Sequence, residues 1–461
     1  MTHYLIASRL YFPNHPVYAA NGPMVISRLV LKLGLVRFAT SFLVVLLANV
    51  LNRVLIVDLM APAALVTFSF AFQHVMTPVG LVTGYFSDTH PLRGRHRSPY
   101  IWGGMLLSVA VMPFFPDWAL ELGAQPHSRP LLYQGVLLFS LFGIGTTVSA
   151  TAINALLVDR VPEPDRGGAL TMVWILTLLG FIVGSSLAGV LFPAFDPDKI
   201  HRLFVVVTLV VVAVTLWGAW GIEPRCEAAP NHQHGQMQLW PTLKFLASNR
   251  QALAFFAFLG TSIFFLAIQT FLLTAYGGEV LALPVAQTSR FGIYTTYGIL
   301  AGMVGVHLLV SARQHWANKI VLAASLMVGA AAFGLLSLTS FRPDPAWGIY
   351  ALCLLGLARG FYNVGLSHLT MSMAHPTFSG VFMGLWNLAS GLALAAGEMT
   401  GGFLKDRLAY LSGSEAGAYG WVFLLEGVGL LACLLFLAPL SLEKYRPQLA
   451  ALVADKPVKP F

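Results

Sequence analysis

Charge is what this chain has least of. Asp, Glu, Lys and Arg make up 10% of its 461 residues, against roughly 25% in an average soluble domain. A water-facing globular surface cannot be built from so few, which excludes a soluble protein. Cysteine is almost as scarce. Cys226, Cys353 and Cys433 lie far apart, two of them inside apolar runs, which excludes a disulfide framework and a cysteine metal site. The chain has no phosphate-cradling glycine loop, no Gly-x-Ser-x-Gly elbow and no paired carboxylates in a soluble segment, so neither a nucleotide site nor an enzyme is expected. The first 25 residues lack the charged start and apolar core of a cleavable signal, so insertion is expected to use the first span itself. The net charge of +8 does not indicate nucleic acid, because the basic residues sit mainly in short connections between apolar runs.

What the chain has instead is apolar length. Hydrophobic residues reach 57%, with 43 Gly and 32 Phe, suited to close helix packing and a lipid-facing surface. Segments near the roughly 20 residues that cross a bilayer recur twelve times, at about 38–59, 61–84, 99–116, 131–158, 168–193, 203–222, 251–275, 289–310, 318–340, 346–371, 379–403 and 419–441. With the N-terminus cytoplasmic, eighteen Lys and Arg fall on the cytoplasmic side and seven on the other. That positive-inside bias puts both termini in the cytoplasm.

The longest polar connection, Glu223 to Arg250, separates spans six and seven, so the domains read as an N-terminal segment 1–37, a six-helix half 38–222, a linker 223–250, a second half 251–441 and a tail 442–461. His232 and His234 in the linker read as solvated residues rather than a metal site. An internal repeat supports the halves. Gly167–Phe192 aligns without gaps to Ser379–Leu404, pairing Trp174 with Trp386 and Gly189 with Gly401 six spans apart, each after a proline loop holding Pro164 or Pro376.

The most polar short connection is "GYFSDTHPLRGRHRSPYIW", Gly84 to Trp102. Topology accounts for Arg93, Arg95 and Arg97, and helix entry for Pro99, with Tyr100 and Trp102 at the interface. Asp88 is not needed for topology. A carboxylate there can accept from amides at a helix start, so Gly84, Asp88, Arg93, Gly94, Arg95 and Arg97 form a candidate latch. Twelve spans, the 6+6 duplication and Gly84-xxx-Asp88 followed by "RGRHR" resemble the major facilitator superfamily, although the gap from Asp88 to Gly94 is longer than in ordinary transporters. "SDTH…PYIW", "LNRVLIVDLMAPAALV" (Leu51 to Val66) and "ALLVDRVPEPDRGGAL" (Ala155 to Leu170) resemble the PucC/LhaA family, the bacteriochlorophyll-delivery branch. That resemblance implies an all-α membrane protein of the major facilitator fold in a bacterial inner, photosynthetic membrane. It also implies an assembly factor for light-harvesting antenna complexes, partnered by antenna polypeptides, pigment and membrane lipid, with bacteriochlorophyll or chlorophyll as the group handled. A proton-coupled transporter of a small amphiphile, or a structural subunit of a photosynthetic complex, are the alternatives.

Ionisable and strongly polar groups inside spans are costly and therefore candidates for function. They are Asn49, Arg53 and Asp58 in span one, Asn154 in span four, Arg359 in span ten, Glu398 in span eleven and Glu426 in span twelve. Arg53 or Arg359 is expected to pair with Glu398 or Glu426, either as a structural lock or as part of a site. The first six spans hold no mid-membrane acid, which weakens a proton antiporter reading. An axial ligand to a pigment magnesium could come from His74, His307 or His368, or less well from Glu398. Packed, hydrogen-bonded histidines are the plainer account of all three. For Asn154, within "GIGTTVSATAINALL", close helix packing is the plainer account.

Overall fold

The computed structural model describes residues 28–161, 166–223, 248–310, 317–373 and 379–445, apart from 91, 93 and 443. These residues form helices, with the single bridge Leu92–Arg95 as the only extended pairing among them. Ten segments are long and apolar enough to cross a membrane, and Phe291–Val310 and Ser379–Ser412 complete two six-helix halves.

Span one is an α-helix over Arg28–Val45 that widens into π-helix at Leu46–Leu51 and again at Val54–Asp58. It begins ten residues before the apolar pattern suggested, which puts Lys32 and Arg37 inside it. Proline divides the next two spans. Span two is Ala63–Val75 and Val79–Thr89, broken at Pro78, and span three is Ser98–Val111 and Phe114–Ala124, broken at Pro113. Each break falls where the ring removes an amide donor. Spans four to six are Arg129–Arg160, Arg166–Leu191 and Pro197–Ala219. Span seven is broken between Arg250–Ile268 and Leu272–Glu279 without a proline. Spans eight to twelve are Phe291–Val310, Ala317–Phe341, Pro345–Met373, Ser379–Ser412 and Glu415–Leu437. The end of the bundle carrying residues 90–97 is called the loop face below, and the opposite end the far face.

Packing repeats six spans apart. Span five lies on span one where Gly180 meets Phe38 and Ser41, and span eleven lies on span seven where Gly397 meets Phe264 and Ala267. The halves join through spans two and eleven, where a Cβ on Gly402 would collide with Thr67 and the Ala63 carbonyl. They also join through spans five and eight, where Gly292 lies against Ser185, and Gly189 lies against Ala286 in the short helix Val285–Thr288 just before span eight. Glycine is required at such crossings because backbones can approach only where no side chain intervenes. Each half keeps an aromatic core, Phe70, Phe115, Trp118 and Phe139 in the first and Tyr276, Phe333, Tyr419 and Phe423 in the second.

Candidate functional site

The polar groups within the bundle concentrate along the surface between the halves. At the far face, Arg53 forms an ion pair with Asp58 and donates to the Leu283 carbonyl of the other half at 3.3 Å. Pro62, which precedes span two, has no side chain that could cap that helix. The missing acceptor comes from the other half. Asp406 at the end of span eleven accepts from the amides of Ala63 (3.3 Å) and Ala64 (2.7 Å), a carboxylate placed at the positive end of a helix. Lys405 beside it is 5% exposed and reaches Glu279 (3.2 Å) and Glu415 (2.7 Å), tying spans seven, eleven and twelve together. Deeper along the same seam, His74 Nε2 of span two lies 3.3 Å from Glu398 Oε1 of span eleven. Glu398 is 1% exposed, and neither of its oxygens makes a hydrogen bond of good geometry among the described residues.

A second cluster surrounds the break in span seven. Interrupting a helix inside a membrane frees backbone groups that must find partners there. Asn52 of span one donates to the Phe271 carbonyl at 2.6 Å and to Thr274 Oγ1 at 3.1 Å. Glu426 of span twelve, fully buried, accepts the Gln269 amide at 2.8 Å. Arg359 of span ten donates to the Leu266 carbonyl at 2.9 Å. Three polar side chains from three spans thus replace the hydrogen bonds that the break removes.

A third cluster holds the loop face. Glu223, just past span six and 5% exposed, accepts from the amides of His96 (2.9 Å), Arg97 (3.1 Å) and Ser98 (2.7 Å) at the start of span three. Burial alone would raise this carboxyl, but the three amides outweigh it and hold Glu223 below the usual glutamate range. Arg97 donates to Asp159 of span four at 2.9 Å and to Ser87 of span two at 2.5 Å, so one guanidinium joins spans two, three and four. Gly94 has φ +73° in the tight turn that pairs Leu92 with Arg95, a conformation that favours glycine. The Tyr100 hydroxyl donates to the carbonyls of Phe86 and His90, so it ties the loop to span two as well as standing at its edge.

The pairing expected from sequence differs from the one found. Arg53 takes Asp58 rather than Glu398 or Glu426, because the wide π turn brings its own neighbour within reach. Glu398 takes His74, and Arg359 and Glu426 lie within Coulombic reach of each other but spend their hydrogen bonds on span seven. Asn49 donates to Ser185 Oγ at 3.2 Å. Asn154 is exposed, as is His368, which has no hydrogen-bond partner among the described residues. Gly84 lies against Thr151 of span four, and Arg95 is half-buried. The side chains of Asp88 and His307, and Arg93, His232, His234 and Cys226 altogether, lie outside the described residues. At the start of span three the acceptor is Glu223, which the sequence presented only as the first residue of a linker. Lys405 and Asp406 follow directly on the apolar stretch 379–403, and nothing in their spacing signals a capping role. Arg37 had been counted with the topological charges, yet the longer first helix places it within the bundle.

Two six-helix halves related six spans apart and joined through spans two and eleven and spans five and eight define a membrane protein of the major facilitator fold. The solved structure of a D-xylose–proton symporter shares it with a TM-score of 0.70 at 12% identity, covering 89% of this chain and 96% of that one. Within that fold the chain belongs to the PUCC protein family, whose model matches residues 50–445. It is similar to Protein PucC of Rhodobacter capsulatus, 27% identical over 450 residues, or 93% of this chain and 95% of that protein. It is also similar to a Rhodobacter capsulatus protein named bacteriochlorophyll synthase 44.5 kDa chain, 27% identical over 409 residues, or 86% and 91% of the two chains.

Proposed function

We propose that this protein is a membrane assembly factor for light-harvesting antenna complexes, delivering or holding bacteriochlorophyll or chlorophyll, nascent antenna helices, or both. The observation that carries the reading is the family match across residues 50–445, and a relative named for bacteriochlorophyll synthesis agrees with it. The role is a non-enzymatic one. The protein resides in a bacterial inner, photosynthetic membrane, and the excess of Lys and Arg on the loop face makes that face and both termini cytoplasmic. Of the three histidines that could supply an axial nitrogen, His74 is engaged by Glu398, whereas His368 is exposed on span ten with its ring uncommitted among the described residues. His368 is therefore the ligand this reading favours. Deleting the gene in a phototroph lowers antenna absorbance while pigment synthesis continues, and the purified protein carries a pigment absorption band that His368→Ala weakens. Normal antenna levels in a deletion strain without a second copy of the family would sink the proposal.

A second reading, proton-coupled transport of a small amphiphile, is favoured by one observation, the His74–Glu398 pair spanning the halves. Gradient-driven uptake into proteoliposomes that is lost in Glu398→Gln would support it, and no flux under an imposed gradient would exclude it.

A further inference from the structure

Span one is enclosed along its length. No residue from Lys32 to Leu59 is exposed, so its side chains meet either other helices or an internal space. Three of its faces are occupied. Gly34, Phe38 and Ser41 face span five, where they meet Leu176 and Gly180. Lys32, Leu35 and Val36 face span six at Gly218. Thr40 faces span three, with its hydroxyl 3.4 Å from the Met105 sulfur. What remains is the stripe Arg37, Val44 and Ala48, spaced i, i+7 and i+11, which at α-helical rotation puts Val44 and Ala48 within about 20° of Arg37 around the helix. All three are half-buried. Val44 and Ala48 pack against the apolar core with part of their surface left open, and Arg37 is likewise only partly covered, so the stripe stays partly accessible along the helix.

Arg37 sits about 14 Å along the helix from its start at Arg28, at the rise of 1.5 Å per residue. Its Nε is shut off from solvent and has no partner. The guanidinium makes no hydrogen bond, ion pair or ring contact with any described residue, and no charged group among them acts on it. Arg95 of the loop also has a buried Nε without a partner among the described residues, but the other covered arginines at or inside the spans differ. Arg53 has Asp58, Arg97 has Asp159, and Arg359 has the Leu266 carbonyl and the charge of Glu426. A permanently charged fork with five donors is costly to keep unpaired inside a span, and the fold retains one whose side chain stays partly accessible.

We propose that Arg37 is an anion-binding residue for an amphiphile that enters between the helices, with a carboxylate or phosphate head on the guanidinium. The apolar tail runs along Val44 and Ala48, the two side chains that continue the same stripe toward the far face. A planar guanidinium suits both head groups because it can donate two parallel bonds to either. The site does not depend on the assembly role, since neither the family match nor His368 enters the argument.

The test uses the full-length protein in nanodiscs of phosphatidylcholine, comparing wild type with Arg37→Gln, Arg37→Met and Arg37→Lys. Oleate supplies a carboxylate head, phosphatidylglycerol a phosphate head, and inorganic phosphate the bare anion, with binding read by native mass spectrometry. Wild type retains oleate or phosphatidylglycerol at least about tenfold more than Arg37→Gln, Arg37→Lys falls between, and phosphatidylcholine is retained equally by all. Preference for oleate assigns the site to a carboxylate, and preference for phosphatidylglycerol assigns it to a lipid phosphate. Inorganic phosphate bound as tightly as either would overturn the amphiphile, and equal retention by wild type and Arg37→Gln would overturn the site. Thermal unfolding without added anion supplies a second readout. Arg37→Met unfolds at or above the wild-type temperature, because an unpaired buried charge has been removed. A lower unfolding temperature would reveal a structural partner and refute the proposal.

Discussion

Glu223 makes a specific demand on stability. Its carboxylate accepts three amide hydrogen bonds at the start of span three and stands at the positive end of that helix. Losing a side-chain cap costs about 0.5–2 kcal/mol, and losing a favourable charge at a partly buried helix end costs up to about 2 kcal/mol more. Glu223→Ala is therefore expected to cost about 2–4 kcal/mol. Glu223→Gln keeps an acceptor oxygen but not the charge, and should cost about half as much. Unfolding entropy grows with chain length, so a chain of this size moves by about 1–2 °C per kcal/mol. Glu223→Ala should then unfold about 2–8 °C below wild type. The assay is thermal unfolding in detergent, followed with a thiol-reactive dye. Cys433 is 1% exposed and reacts only once the bundle opens, while Cys226→Ser and Cys353→Ser remove the linker cysteine and the half-buried one. The pH dependence has a definite sign. Glu223 is held below the ordinary value of 4.5 in the folded state, so its contribution is complete above that value and is lost as pH falls through the lower folded-state value. The gap between wild type and Glu223→Gln should be flat from about pH 8 to 5 and close below about 4.5. An unfolding temperature for Glu223→Ala within about 1 °C of wild type, or a gap that widens in acid, would refute the capping argument.

Four further outcomes are expected. A Cβ on Gly278 would lie 3.4 Å from the Val57 Cβ, close to disulfide range, so Val57→Cys with Gly278→Cys should crosslink across the far face on oxidation. Adding Asp406→Asn, which weakens the cap that one half supplies to the other, should lower the crosslinked fraction several-fold on gels. His74→Ala leaves the buried Glu398 carboxyl without its partner and should cost about 1–3 kcal/mol, whereas Glu398→Gln keeps a hydrogen-bonding group opposite the imidazole and should cost less; unfolding temperatures of the two variants give the comparison. Glu426→Ala leaves the Gln269 amide without an acceptor inside the membrane and should cost about 2 kcal/mol, with Glu426→Gln milder in the same assay. Gly94→Ala forces φ +73° on a side chain and should cost about 1 kcal/mol, with Gly94→Asn closer to wild type.

Much of the architecture was legible in the sequence because a membrane solvent imposes a length and an apolarity on every crossing. The twelve spans, the repeat between spans five and eleven and the PUCC resemblance all rest on that pattern and on the quoted loop. The start of span one was missed because Arg28, Lys32 and Arg37 look like loop charge, although helix continues through them. The capping carboxylates were missed for a related reason. Glu223 and Asp406 act on amides far away in the chain, at distances of about 125 and 343 residues, and no local spacing signals such a contact. The break in span seven carries no proline or paired glycine at 269–271, so the pattern gives no sign of it, and without the break Arg359 and Glu426 look like free functional charges.

That last point separates structural charge from charge available for function. The intramembrane residues Asn52, Arg359 and Glu426 are committed to the carbonyls and amide freed where span seven is interrupted, and Arg53 and Asp58 to each other at the far face. None of these can change partner without uncovering backbone or charge in a medium that offers no water. Glu398 with His74 and Arg37 are the exceptions. The first pair joins two halves and its side chains have no other hydrogen bond among the described residues, and the second has no partner among them at all. A proton or an anion bound at these positions would therefore act on the bundle without first dismantling it. Any cargo or coupling chemistry is accordingly to be sought along the inner faces of spans one, two and eleven, rather than at the more conspicuous arginine and glutamate of spans ten and twelve.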